Sequence, residues 1–404
     1  MSVMPTDTGS KSRCAISARS VPSSVSAKEA AEAGDKRSVE SRWNDIVTSV
    51  RNEYLDPTYN FPWVVGFSGG KDSTVVVHAV FSALLSIPPS GRTRAVHIVS
   101  NDTMVESPVV LSHLDITAKT IDAAARNLHL PITVARTHPD LDKTFWVLLI
   151  GKGYPSPNLT MRWCTDRLKI QPTSGYIKRN ISEKGGAIIV LGVRRDESQT
   201  RQRSMDKRLN DRGTNLTPHS DLVGALIYRP IADLTTDDVW EILGSSHAPW
   251  GGTHESLFRL YRDAEGGECP VVLSDTEAPG CGTSNSRFGC WTCTVVEKDK
   301  SLQGFIDSGN HHFKPLVEFR DWLKSVRNNP QMRQAYRRNG RLAFDASGKH
   351  IPGPFTVRAR KEILDRLLHV QETFGAQLIT EAELDFIYQL WATDLQKDER
   401  AAND

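Results

Sequence analysis

The sequence holds no apolar run approaching the roughly eighteen residues that a membrane-spanning helix requires, so a membrane protein is not expected. Neither sign of charge is in excess. Lys and Arg number 50 against 48 Asp and Glu, so any contact with nucleic acid must come from a local patch. The first forty residues lack an apolar signal core, and their Ser, Ala and charged side chains favour a disordered tail over an export signal. Cysteine is sparse, six in 404 residues, and without a signal peptide this points to a reducing cytoplasm. The cysteines are also unevenly placed. Cys14 lies in the tail as an ordinary thiol, the other five follow Gly151, and four of those fall within 25 residues. Such clustering suggests a metal site rather than a disulfide framework.

What the chain does have is one stretch around which the rest is organised. Trp63 to Phe67 reads as a buried strand, and the apolar run from Val75 continues as a helix through Leu85. Between them stands Ser68-Gly69-Gly70-Lys71-Asp72-Ser73-Thr74. Strand, glycine turn and helix N-terminus make an anion site: Gly69 and Gly70 let the backbone approach an oxyanion, and the N–H groups and dipole of the helix start point at it. Lys71 adds a point charge. This is not a Walker A loop, because Gly66 is one residue too close to Gly70 and Asp72 follows the lysine.

In chain order, residues 1–38 read as tail, and Lys36 to Tyr54 as an amphipathic helix with Trp43, Ile46, Val47 and Val50 at helical spacing. Arg94 to Asp102 is a second strand. In open parallel sheets ligands bind at the carboxyl ends of strands, which puts Asn101, Asp102 and Thr103 where a nucleotide would be read; a helix N-cap at Asp102 or Ser107 is the alternative use. A helix over Pro108–Leu130 follows, then a third strand at Ile132–Thr137 and a short helix at Phe145–Ile150. Gly151 to Asn158 forms a Gly/Pro loop. Cys164 stands among Arg162, Arg167 and Lys169, an electropositive setting that favours thiolate. Gly186 to Gly192 is a buried strand whose continuation returns Arg194 to the phosphate side. From Arg194 to Arg212 there are seven Lys or Arg against four Asp or Glu, either solvated surface or a nucleic-acid contact. Tyr228–Ile231 reads as a last short strand, and Asp233–Leu243 as a capped helix.

The Ser-Gly-Gly-Lys-Asp-Ser-Thr loop resembles the PP-loop of the ATP pyrophosphatases. With Arg162-Trp163-Cys164…Lys169…Pro172, Gly192-x-Arg194-x-x-Glu197-Ser198 and Pro230…Asp237-Asp238-Val239-Trp240 following in that order, residues from about Trp63 to Leu243 resemble the phosphoadenosine phosphosulfate reductase family. The resemblance implies an α/β fold of the adenine nucleotide alpha hydrolase type, a five- or six-stranded, mainly parallel sheet with flanking helices. It also implies that the loop and the arginines hold nucleotide phosphates, with the Cys164 segment lying over the site. The expected organisation is a tail to residue 38, the nucleotide domain at 39–245, a cysteine-rich segment at 246–300 and a helical region at 301–396.

The block Cys269, Cys281, Cys290-Trp-Thr-Cys293 departs from plain reductases of that family. Four such thiolates suit zinc or a [4Fe–4S] cluster, and spacing does not separate the two; His311 and His312 lack ligand spacing to the group. With Cys164 and the downstream Arg338-Asn-Gly…Pro354-Phe-Thr-Val-Arg segment, the chain from about 40 to 395 resembles the DndC family, the iron–sulfur ATP pyrophosphatases that act as sulfurtransferases in bacterial DNA phosphorothioation. That resemblance implies ATP, Mg²⁺ and a [4Fe–4S] cluster as cofactors. Ser68, Gly69, Gly70, Lys71, Asp72, Ser73, Thr74, Asp102, Gly192 and Arg194 would bind nucleotide, with Lys71, Asp72, Arg162 and Arg194 acting in catalysis. Cys164, Cys290 and Cys293 would ligate metal, with either Cys269 or Cys281 as the fourth ligand and the other spare; alternatively only three cysteines ligate, leaving an open iron to hold sulfide and a spare cysteine to carry persulfide. DNA, a cysteine desulfurase as sulfur donor and further phosphorothioation subunits are the implied partners. The Arg194–Arg212 stretch and Arg333, Arg337, Arg338 and Arg341 are expected to flank the mouth and bind duplex DNA in a salt-dependent manner. Three rivals share parts of this pattern. A sulfonucleotide reductase needs a nucleophilic cysteine, usually in a C-terminal tail, and none follows Cys293. A zinc-bearing DNA-binding subunit would not need the loop. A tRNA-thiolating enzyme differs mainly in the cysteine block.

Overall fold

The fold was obtained as a computed structural model, which describes residues 37–181, 185–197, 215–220, 222–265 and 288–403. Helix α1 spans Val39–Leu55 and leads to strand β1, Trp63–Gly66. Helix α2, Lys71–Ser86, then precedes β2 (Val96–Asn101), α3 (Pro108–Asn127) and β3 (Ile132–Thr137). A π-helical turn at Val147–Gly151 and a second at Asp166–Ile170 precede α4, Gln171–Ile181. Next come β4 (Ala187–Val190), β5 (Leu216–Pro218), β6 (Ala225–Tyr228), α5 (Thr236–Ser245) and α6 (Glu255–Ala264). Helices α7 (Lys300–Asp307), α8 (Lys314–Val326), α9 (Val357–Phe374) and α10 (Glu381–Asn403) complete the chain.

The six strands form one sheet in the order β3-β2-β1-β4-β6-β5, all parallel except β5. A parallel sheet covered on both faces should read as continuous apolar runs, and β1 and β4 do: Trp63, Val64, Val65 and Ala187 through Val190 are all buried. Because β2 and β3 build outward from one side of β1 while β4 lies on the other, the strand order reverses beside β1. Ligand sites of open α/β sheets form at such a reversal, outside the carboxyl ends of the strands.

Helix α2 is buried from Ser73 to Leu84 except at the partly exposed Ser82, because α1 and α5 cover the side that faces away from the sheet. Arg42 of α1 forks onto the Asp238 carboxylate of α5 at 2.7 and 2.5 Å, and Asp238 itself closes a capping box with Thr235. The C-terminal helices clasp the first π-helical turn. Trp146 Nε1 donates to the Leu378 carbonyl at 2.7 Å, Trp391 Nε1 to the Ile150 carbonyl at 3.1 Å, and Arg360 to the Gly151 carbonyl at 2.6 Å.

The expected mainly parallel α/β sheet with flanking helices and a helical C-terminal region is what forms. Three local expectations shift. The helix after the glycine turn starts at Lys71 rather than at the apolar run, since polar residues fill the first turn of a helix whose core face begins later. The last parallel strand is Ala225–Tyr228, not Tyr228–Ile231, because Ala225–Tyr228 registers against β4 and Pro230 has no N–H to give a ladder. Strand β5 carried too little pattern to be seen; its three residues pair only along the sheet edge, where Pro218 is tolerated.

Candidate nucleotide and cysteine site

The turn after β1 is shaped by its own side chains. Gly69 adopts φ 75°, a conformation that L side chains rarely take, and Gly70 caps α2 with extended backbone. Ser73 Oγ donates to the Gly70 carbonyl at 2.9 Å and accepts the Ser68 N–H at 3.2 Å, so the serine side chain folds the loop back over its helix. Thr74 Oγ1 donates to the same carbonyl at 3.0 Å. Tyr261, buried on α6, accepts the Lys71 N–H at 3.2 Å, and the Lys71 ammonium sits 5.6 Å from the centre of its ring. Among the described residues the N–H groups of Gly69, Gly70, Asp72 and Ser73 have no partner, which leaves a cradle of backbone donors at a helix start.

Strand β4 ends against this cradle. A Cβ on Gly192 would stand 2.9 Å from the Asp72 backbone, so only glycine lets the end of β4 approach the first turn of α2 this closely. Two residues on, Arg194 is 2 % exposed and donates through Nε to Asp72 Oδ1 at 2.6 Å, with further bonds to the Leu234 carbonyl at 3.2 Å and Thr236 Oγ1 at 3.0 Å. Lys71 Nζ holds the other Asp72 oxygen at 3.1 Å. The Asp72 carboxylate is therefore aimed by a buried arginine and a half-buried lysine. Asp102, after β2, is spent more locally: it accepts the Met104 N–H at 2.8 Å and lies 3.9 Å from Arg136 and 3.8 Å from His138. Arg162 is exposed, and no hydrogen bond or ion pair joins it to the loop among the described residues.

The strip following Asp102 receives the C-x-x-C segment. Glu106 and Cys290 pair as an antiparallel bridge, flanked by Trp291 N–H to Val105 carbonyl at 3.1 Å and Ser107 N–H to Gly289 carbonyl at 3.3 Å. Thr103, wholly buried, donates to Glu106 Oε1 at 3.1 Å and lies 3.3 Å from Cys290 Sγ. Lys169 Nζ reaches Glu106 Oε1 at 3.3 Å while 45 % of its side chain faces solvent. Enclosure by protein pushes the Cys290 thiol well above the ordinary value, Glu106 adds to this, and Lys169 opposes it. Burial disfavours the Lys169 ammonium, but the Glu106 carboxylate, Cys290 and Cys164 outweigh it and hold the amine above its usual range. Cys164 does not have the expected thiolate bias: burial raises its pKa and the Cys293 thiol raises it further, while Arg162 points to solvent.

Behind the C-x-x-C stands Arg320, fully buried, which donates to the carbonyls of Cys293 at 2.7 Å, Glu297 at 2.9 Å and Val296. Arg327 joins the Thr294 and Pro157 carbonyls, each at 3.0 Å, which fastens the cysteine loop to the segment before Cys164.

A model of the phosphoadenosine phosphosulfate reductase domain matches residues 62–296, more than half of the chain and all of the sheet. The chain belongs to that family. An uncharacterized protein of Methanocaldococcus jannaschii is 27 % identical over 197 residues, which are 49 % of this chain and 34 % of that relative, so the chain spans about a third of the curated relative it matches. Among solved structures, similarity extends to FMN adenylyltransferase of Candida glabrata in complex with FMN and an ATP analogue, at 12 % identity and TM-score 0.31 over 52 % of this chain and 60 % of that one. It also extends to phosphoadenylyl-sulfate reductase of Candida auris, at 13 % and 0.29 over 52 % and 88 %. A U34-tRNA thiolase of Methanococcus maripaludis with its [4Fe-4S] cluster matches at 13 % and 0.31 over 54 % and 71 %.

In this reductase-domain chain the residues 68–74, Gly192 and Arg194 meet at one edge of the sheet, and Cys164, Cys290 and Cys293 share a neighbourhood with Lys169. Cys269, Cys281 and the basic residues 198–212 lie outside the described residues. Among the described residues no three His, Cys, Asp or Glu side chains gather closely enough to hold a metal ion. The donor chemistry fits one nonetheless: soft thiols with a lysine beside them suit zinc or an iron–sulfur centre. Sequence reading missed Tyr261, Glu106 and Arg320, and gave Thr103 a nucleotide-reading place where the structure sets it against Glu106 and Cys290. Each acts across at least one element boundary, and no local spacing marks it.

Proposed function

We propose that this family member is an ATP pyrophosphatase that transfers sulfur to a backbone phosphate of DNA. One observation carries the reading: the C-x-x-C segment docks by the Glu106–Cys290 bridge onto the strip after β2, on the sheet edge that also bears the anion cradle. A remote structural metal site would need no such placement.

ATP would lay its phosphates on the N–H groups of Gly69, Gly70, Asp72 and Ser73, with Mg²⁺ on the Asp72 carboxylate and Lys71 on the leaving pyrophosphate. A non-bridging DNA oxygen attacks the α-phosphorus, pyrophosphate departs, and the DNA phosphate carries AMP. Sulfide then attacks the DNA phosphorus and AMP leaves with the original oxygen, so one P–O bond is exchanged for one P–S bond without net oxidation. Positioning and electrostatics do most of the work in such transfers. Arg194 acts through Asp72, whose orientation it holds, and exposed Arg162 is left to meet the incoming strand. Cys164, Cys290 and Cys293, with Cys269 or Cys281, would hold the metal centre, which when bound supplies a thiophilic site for sulfide. A cysteine desulfurase, whose persulfide a thiol reductant releases as sulfide while forming a disulfide, and further phosphorothioation subunits are the proposed partners.

The test is product analysis with labelled ATP. AMP and pyrophosphate are expected from the wild type, and Lys71→Ala or Asp72→Ala should lower the rate on the order of 10²–10³-fold in a folded protein. ADP and phosphate from the wild type would overturn the reading.

A further inference from the structure

We infer that residues 334–350 form a single-strand-binding arm, which takes a DNA segment with unstacked bases and leads it toward Cys164. The inference rests on DNA being the substrate and names the surface that grips it.

Between the 3₁₀ turn Pro330–Met332 and α9 the chain leaves the helical layer and doubles back on itself. Its base is fixed: Gln334 N–H donates to the Pro354 carbonyl at 2.8 Å and Gly353 N–H to the Gln334 carbonyl at 2.7 Å. Arg333 spends its guanidinium there, on the carbonyls of Gly353, Arg327 and Pro352 at 2.6, 2.6 and 2.9 Å. Farther out, Ile351 N–H to Ala343 carbonyl at 2.7 Å and the Phe344–His350 bridge hold the excursion as a narrow ribbon.

The ribbon presents two things that a folded protein has no internal reason to expose together. Tyr336 and Phe344 are 57 % and 58 % exposed. Around them Arg337, Arg338 and Arg341 are exposed, and none makes an ion pair among the described residues. The nearby acid, Asp345, is occupied in its own turn, accepting the Ser347 and Lys349 N–H groups at 2.9 and 3.0 Å. Exposed rings, Phe344 edge-on to His350 at 5.8 Å, interleaved with arginines that make no ion pair among the described residues match the needs of a single strand, whose bases stack on rings while its phosphates meet cations. A closed duplex would satisfy the arginines and leave the rings idle.

The arm is also joined to the reactive side. The Arg338 guanidinium lies 5.4 Å from the centre of the Tyr154 ring, Tyr154 meets Trp163 edge-on at 5.8 Å, and Trp163 precedes Cys164. A strand gripped at Tyr336 and Phe344 therefore has a short path to the cysteine segment.

Fluorescence anisotropy of the full chain with labelled single-stranded DNA, the matching duplex and RNA of the same sequence tests this. Tyr336→Ala and Phe344→Ala should each weaken single-strand binding roughly tenfold and barely change duplex binding. Replacing Arg337, Arg338 and Arg341 by Ala should reduce the slope of log affinity against log salt by about 2, as expected for three single-strand phosphates. Tyr336→Trp should bind as the wild type, which separates stacking from folding. Unchanged single-strand affinity in the Tyr336→Ala, Phe344→Ala double variant, equal losses for duplex and single strand, or tighter binding of RNA than DNA would each overturn the arm. AMP formation by the wild type is measured in parallel: AMP and pyrophosphate with no single-strand preference refute the arm alone, whereas ADP and phosphate refute the nucleotide reading instead.

Discussion

At Gly192 one missing carbon decides how closely β4 approaches the cradle. With Asp72 backbone 2.9 Å from where a Cβ would sit, Gly192→Ala must push β4's end away from the cradle. We expect it to cost about 1–3 kcal/mol in a urea melt and to depress ATP cleavage more than it depresses stability, because Arg194 would lose its line to Asp72. A variant with wild-type turnover would show that the end of β4 need not touch the start of α2. Tyr261→Phe is gentler. It removes the hydroxyl that accepts the Lys71 N–H and leaves the ring, so stability should fall by about 1 kcal/mol. That orphaned donor becomes available to a phosphate, so KM for ATP should change more than kcat; a kcat effect alone would contradict the capping role.

Among elements, the segment from Cys290 to Glu297 has almost no regular structure of its own and is shaped by Arg320 from α8. Removing a buried cation that serves three carbonyls strands all three, so Arg320→Ala should destabilise the chain by about 2–5 kcal/mol. Metal content measured after anaerobic purification should drop with it. Lys in its place should not restore metal, since a single ammonium lacks the planar fork that reaches several carbonyls at once. Full metal loading in Arg320→Ala would mean that the cysteine loop holds its shape unaided. The contrast with α2 is instructive: its turn, cap and apolar face are contiguous in sequence, and it was legible there. Its start lies earlier than the apolar run indicates, because the polar residues Lys71, Asp72 and Ser73 fill the first turn.

For the whole molecule, the clearest external handle is acid. His78 of α2 and His254 just before α6 are buried beside each other, ring centres 5.5 Å apart, with Trp43 and Trp250 around them. Burial lowers both: His78, with His254 adding to it, is pushed down to about 3 and His254 to about 4. Unfolded, each ring titrates near 6.5. Between those values the unfolded chain binds protons that the folded chain refuses, so stability is whole above pH 6.5 and is lost as pH falls toward 4 and 3. At pH 5 the loss should be about 2 kcal/mol per ring. His78→Phe should flatten the dependence when denaturation midpoints at pH 7 and pH 5 are compared; identical slopes would clear the histidine pair of responsibility. Much of this architecture was determined by sequence alone. The strand, glycine turn and helix at 63–85 are contiguous, and backbone sterics, burial of Val75–Leu84 and helix capping act over neighbours, so a local pattern suffices to specify them. The parallel sheet follows from apolar runs separated by helices for the same reason. Only the tertiary structure decided that Arg194 faces Asp72 from the protein interior, that Tyr261 caps Lys71, that Glu106 and Thr103 receive Cys290, and that Cys164 sits beside Cys293 with a raised rather than lowered pKa. Those contacts join residues tens to hundreds of positions apart, and a side chain's ionisation depends on what surrounds it in space, which no spacing along the chain records.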